Sequence, residues 1–200
     1  MTTTPSRRVD RRMQRTRQAL QQAFIEVAHE KGIVATTIQD ITKRADVNRG
    51  TFYLHFADKY MLLVAIIHEH FQTLLTTTLS PESRWDRRSL QLFIQAVLED
   101  FERKYRHLLL APDVALLIER ATCEELARLL LIWLKQDKRA ENQKRVSLET
   151  LARLTSWTIF GAAVQWSQEE QALSSERMAH AVLLVITEGI AHLAPFALPE

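Results

Sequence analysis

The chain has 200 residues, 46% hydrophobic and 25% charged, an average composition that excludes a disordered tract, a collagen-like repeat and a disulfide-stapled miniprotein. Its single cysteine, Cys123, allows neither an internal bridge nor a cysteine-based zinc site, so a reducing, cytoplasmic setting with no metal and no cofactor is expected. The net charge of +2 conceals a split: residues 1–60 carry eleven Lys/Arg against six Asp/Glu, and residues 61–200 carry fifteen against eighteen. A basic head on a slightly acidic body points to a polyanion-binding module joined to something that need not touch the polyanion. No apolar run approaches the ~20 residues of a membrane helix, and the arginine-rich N-terminus lacks the apolar stretch of a secretory leader, so no membrane partner is expected. Four Gly and five Pro are too few turn formers for an all-β protein, which leaves an all-α fold.

Residues 1–12, with Arg7, Arg8, Arg11 and Arg12, read as a disordered basic arm. A first helix follows from Met13, its apolar face marked by Leu20, Phe24, Val27 and Ala28 and its end by Gly32. Thr37, with Asp40 three residues on, has the pattern of a capping box opening a short helix over 37–45. Asp46 and Val47 then lead to Asn48, a strong N-cap residue. Val47 and Phe52 fall at the two positions of a hydrophobic staple, and Phe52 and Phe56 share a face. Two short helices joined by a three-residue turn and packed on a longer one make a helix-turn-helix. This places a DNA-binding domain at 13–57 and a C-terminal domain at 58–200.

Asp58 caps a fourth helix that carries Met61, Val64, Ala65, Ile67, Phe71, Leu74 and Leu75 and ends within Thr76 to Pro81. A periodic face through Leu90, Phe93, Ile94, Val97, Phe101 and Tyr105 follows, stopped by Pro112. The next stretch spans 114–135; a break near Thr122 is one reading, because Thr122 and Glu125 repeat the capping-box pattern. After a charged loop from Lys135 to Arg145 come two helices, 146–168 and 175–193, apolar on nearly every side, the second ended by Pro195. A helix apolar all round is buried all round, which in so short a chain calls for a second copy. Gly161, Val164, Val182, Val185 and Ile186 are the expected homodimer surface.

On a helical wheel, residues 48–56 turn Phe52 and Phe56 inward and Gly50, Thr51 and Leu54 outward, with Tyr53 flanking. An outward leucine suits a thymine methyl in a major groove, and Arg49 in the first turn suits guanine O6 and N7. Thr51, Tyr53 and His55 suit phosphate or sugar, and Lys59 adds charge to helix N–H groups that favour a phosphate. In the C-terminal domain Phe101, Tyr105, Trp133, Trp157 and Phe160 either line a pocket for a small apolar or aromatic ligand or only fill the core. His68 and His70, two apart on a helix, point about 200° from each other, which spoils chelation. No nucleotide-binding loop, nucleophile elbow or carboxylate–histidine cluster suggests an enzyme.

Thr36-Thr37-Ile38, Ala45-Asp46-Val47, Gly50 through Phe56, Asp58-Lys59 and Leu62-Leu63 together resemble the N-terminal signature of the tetracycline-repressor (TetR) family, over about residues 13–65. The resemblance implies a dimer whose subunits each insert a third helix into the major groove of an operator. It also implies a divergent C-terminal domain that binds a small ligand and dimerises through its last two long helices. It carries Thr37, Gln39, Arg49, Gly50, Thr51, Tyr53, Leu54, His55 and Lys59 onto positions that commonly touch DNA. Asp46 stands where the family usually has glycine, so a left-handed turn with some strain is expected. The expected function is a transcriptional repressor released from a palindromic double-stranded operator by a ligand-driven population shift, with the helix over 58–75 transmitting the change. The alternatives are a ligand-independent or activating DNA-binding dimer, and an all-helical interaction protein without specific DNA binding.

Overall fold

Each short N-terminal helix is held by its own cap. The computed structural model describes residues 5–80, 83, 86–105, 112–136, 146–169 and 173–193, with no strand among them. α1 runs Pro5–Lys31 and stops where Gly32 takes φ +84, its N–H donating to the Ala28 carbonyl at 2.8 Å. The segment expected as a disordered arm is thus written into α1 from residue 5 onward. Proline fits a first helical position, and the arginines and glutamines beyond it are good helix formers.

α2 is Ile38–Arg44, with Thr37 as N-cap of a complete capping box closed by Asp40. Asp46 crosses the turn at φ +52, the left-handed conformation its position required. α3 is Arg49–His55, capped by Asn48, and α4 is Lys59–Thr78, where Asp58 Oδ1 accepts from the N–H groups of Tyr60 and Met61, each at 2.8 Å. α2 packs on α1 and α3 on α2, around Leu20, Phe24, Ile41, Phe52 and Leu62. The chain divides into two compact units, Met1–Ile66 and Ile67–Glu200, so the division falls inside α4 rather than at the expected 57/58.

In the second unit α5, Arg87–Asp100, is capped by Asp86 and runs into a π-helical turn over Phe101–Tyr105. α6 is Pro112–Leu134, α7 Leu148–Gln168 and α8 Ser175–Leu193. α6 packs on α7, and α5 packs on both α7 and α8. Two expectations change here. Thr122 and Glu125 cap nothing: α6 passes through them unbroken, and Pro112 opens that helix as well as closing the stretch before it. α7 and α8 are not buried on every side, since each turns one face into its own unit and leaves Leu154, Trp157 and Val185 exposed on the other. The loop from 137 to 145 and Pro195 lie outside the described residues.

Candidate nucleic-acid interface

The helix-turn-helix is built from caps inward. Thr37 Oγ1 accepts from the Asp40 N–H at 3.2 Å while Thr37 N–H donates to Asp40 Oδ2 at 3.0 Å, and the same carboxylate takes the Thr37 hydroxyl and the Lys31 ammonium. Lys31 and then Thr37 hold the Asp40 carboxyl far below the usual carboxylate range. Asn48 Oδ1 receives the Thr51 N–H at 2.7 Å and the Thr51 hydroxyl at 3.0 Å. Phe52 is wholly buried, Phe56 packs 6.0 Å from it, and the Arg17 guanidinium of α1 lies 4.7 Å over the Phe56 ring. Arg44 ties α2 to α1 through Glu26 at 3.1 Å and Glu30 at 2.7 Å.

With its inner side fixed in this way, α3 turns Arg49, Gly50, Tyr53 and Leu54 outward, and Leu54 is 80% exposed. Arg49 Nη2 donates to Tyr53 Oη at 3.3 Å, which lays the guanidinium along the helix surface. A Cβ on Gly50 would meet Asn48 Oδ1 at 3.3 Å, so a bare backbone there both spares the cap and lowers the ridge. Such a face presents a fork of N–H donors beside an apolar tip, the chemistry that reads guanine and thymine edges in a major groove. Thr37 and Gln39 on α2 are exposed as well, whereas His55 is half-buried; burial and then the nearby Arg17 charge lower its pKa, so its imidazole is neutral at pH 7.

Lys59 departs from the sequence reading. Its ammonium donates to the carbonyls of Ile33 at 3.1 Å, Val34 at 2.7 Å and Thr36 at 2.8 Å, and burial followed by the Lys31 charge lowers its pKa. All three of its donors therefore tie down the turn between α1 and α2, and none is left for a phosphate. Nothing near Lys59 in sequence signals this, because its partners lie more than twenty residues upstream. The Arg44 bridges were missed for the same reason.

In the second unit the five candidate ligand aromatics are not gathered around an open space. Phe101 and Phe160 pack edge to face at 5.6 Å, Trp157 stands 6.2 Å from Phe160 with half its surface exposed, and Trp133 packs on Phe93 at 5.9 Å. The Tyr105 side chain lies outside the described residues. A cavity of about 390 Å³ is lined instead by Glu99, Glu102, Arg103, Trp166 and Ser175. Of the expected dimer residues, Gly161 and Val185 are exposed and Val164 half-buried, but Val182 and Ile186 are each 5% exposed and fill the chain's own core. The outward face of α8 passes through Ala181, Val185 and Glu188 instead. Among the described residues no group of His, Cys, Asp and Glu could hold a metal ion, and no helix is long and apolar enough to cross a membrane.

Residues 22–66 match the family model described as "Bacterial regulatory proteins, tetR family". Over 62 residues the chain is 48% identical to the uncharacterized HTH-type transcriptional regulator YxbF of Bacillus subtilis, covering 30% of this chain and 16% of that protein. Over 89 residues it is 34% identical to the HTH-type transcriptional repressor DhaR of a Mycobacterium species, covering 43% of this chain and 45% of DhaR. The chain thus spans less than half the length of these curated relatives. Across nearly its whole length it shares its fold with RolR, solved as a complex with resorcinol, at a TM-score of 0.60 and 17% identity, covering 96% of this chain and 98% of that one. Through its capped helix-turn-helix the chain belongs to the tetR family of bacterial regulatory proteins.

Proposed function

We propose that this chain is a sequence-specific transcriptional regulator, not an enzyme: a cytoplasmic homodimer that represses from a palindromic operator and leaves it when a small apolar or aromatic ligand occupies the second unit. The observation that carries this reading is the outer face of α3, where Arg49, Gly50, Tyr53 and Leu54 stand free of the core on a helix locked by Asn48 and Phe52. In this reading Arg49 and Leu54 read bases, Thr37, Gln39, Thr51 and Tyr53 position the backbone, and Lys59 serves by holding the turn beneath them. The exposed apolar stripe of Leu154, Trp157, Gly161 and Val185 supports a second copy on α7 and α8. DhaR's name as a repressor and the resorcinol in RolR support repression and ligand release. Release is a population shift toward a dimer whose two α3 helices no longer fit successive major grooves.

Duplex affinity that falls steeply with salt separates this reading from a helical interaction protein. Linkage tests the release: a releasing ligand binds the free dimer more tightly than the operator-bound dimer, by the factor by which it weakens the operator. Equal ligand affinity with and without operator, measured by tryptophan fluorescence, contradicts release and leaves a ligand-independent DNA-binding dimer.

A further inference from the structure

Thr122 and Glu125, which the sequence offers as a capping pattern, instead share one buried face of α6 a single turn apart. Elsewhere, helical hydroxyls settle against the preceding turn: Thr73 and Thr158 donate to carbonyls four residues back, Ser156 and Ser167 to carbonyls three back. Thr122 does not. Its Oγ1 is wholly buried and has no partner among the described residues. The Glu125 carboxylate, 1% exposed, is held by Arg128, with Nη2 donating to Oε1 at 2.5 Å and Nε to Oε2 at 2.8 Å. His68 of α4 brings its Nδ1 to 4.0 Å from Oε2. A carboxylate on that side favours the tautomer with the proton on Nδ1, which leaves a lone pair on Nε2. Nε2 is buried too, again with no partner among the described residues.

Buried polar atoms almost always find partners, so two orphans flanking one buried carboxylate mark a place that a polar guest completes. A lone pair on His68 and a free hydroxyl on Thr122 are met together by a group with one proton and an accepting oxygen. An anion would face the Glu125 carboxylate, and a metal ion would find too few ligands. Ile118 and Leu126 on the same helix and Phe71, one turn beyond His68, are buried and apolar. We propose that His68 and Thr122 form the polar end of the ligand site in the second unit, and that the ligand class is a phenol. Its acidic hydroxyl donates to His68 Nε2 and accepts from Thr122 Oγ1, and its ring lies among apolar side chains. This names the ligand of the proposed repressor and rests on that reading for its regulatory meaning.

The test titrates the full chain with 4-alkylphenols and 2-naphthol, each paired with its methyl ether, which keeps ring and oxygen but loses the donated proton. Calorimetry is expected to show at least one phenol bound on the order of tenfold or more tighter than its ether. Thr122→Val and His68→Phe should each reduce that preference below threefold, while Thr122→Ser, which keeps the hydroxyl, retains it. Thr122→Val removes an orphaned hydroxyl and should melt no lower than the wild type. Absence of binding by every phenol overturns the proposal, as does a preference that survives both Thr122→Val and His68→Phe. Phenol binding with the stated preference but without effect on operator affinity supports the site and contradicts the ligand-released repressor. Operator release by a ligand indifferent to both substitutions contradicts the site and spares the repressor.

Discussion

Two cations a few residues apart on neighbouring helices, Arg49 and Lys59, have opposite fates. Arg49 is exposed at the start of α3, engaged only with the Tyr53 side chain beside it, so its guanidinium can turn to a base without unfolding anything. Arg49→Ala should cost roughly 1–3 kcal/mol of discrimination at one base pair per half-site, read as lost preference among operator variants. If the preference among variants is unchanged, Arg49 is not a base reader. Lys59 spends its charge on three backbone carbonyls. Lys59→Met should therefore lower the stability of the first unit by about 2 kcal/mol in urea unfolding, and weaken DNA binding only as far as the unit unfolds. Undiminished stability with a flatter salt dependence would restore the phosphate role. The residues of α3 were legible because a seven-residue amphipathic helix has only one way to turn two phenylalanines inward. The role of Lys59 was not, since its acceptors are carbonyls of a turn far back in the chain.

Helix starts follow the same rule of locality. Thr37, Asn48, Asp58 and Gly32 stand at the caps and stop that their sequence patterns describe, because a cap is satisfied within three or four residues of itself. The same pattern at Thr122 and Glu125 misleads, since burial of α6 on α7 keeps the helix running and aims both side chains inward. The α2 cap also predicts a pH response. Asp40 has its pKa lowered by Lys31 and Thr37, so the ionised form is favoured by folding. Its contribution is present above the ordinary carboxylate pKa of about 4 and is lost as pH falls through the lower folded value. Asp40→Asn should thus lower the urea midpoint at pH 7 and narrow its gap to the wild type as pH drops below about 4. A gap that stays constant or widens in acid would mean that the Asp40 charge does not support the cap.

For the chain as a whole, the sequence shows that α7 and α8 are too apolar for a lone subunit but not which residues stay outside. Apolar side chains on both faces give no periodicity from which to choose a direction, so Val182 and Ile186 were assigned outward and prove to be core. The five aromatics were legible as buried mass and not as a pocket, for the same reason. The exposed stripe permits a clean test. A Cβ on Gly161 meets nothing within 4 Å, and Val185 is 66% exposed, so a carboxylate at either place leaves the single subunit undisturbed. Gly161→Glu and Val185→Glu should each give folded monomer, or aggregate, by light scattering, because an unpaired charge is costly inside an apolar interface. Stable dimers from both would move the interface elsewhere.

The account stands on the pairing of two α3 helices with two halves of one operator, and selection of bound duplexes from a random pool probes it directly. The wild-type chain should recover a palindrome whose half-site centres lie about one helical turn or a multiple of it apart, and Arg49→Ala should recover the same palindrome with one base pair per half-site relaxed. Recovery of no shared sequence, or of a single unrepeated half-site, would contradict a dimeric, sequence-reading regulator.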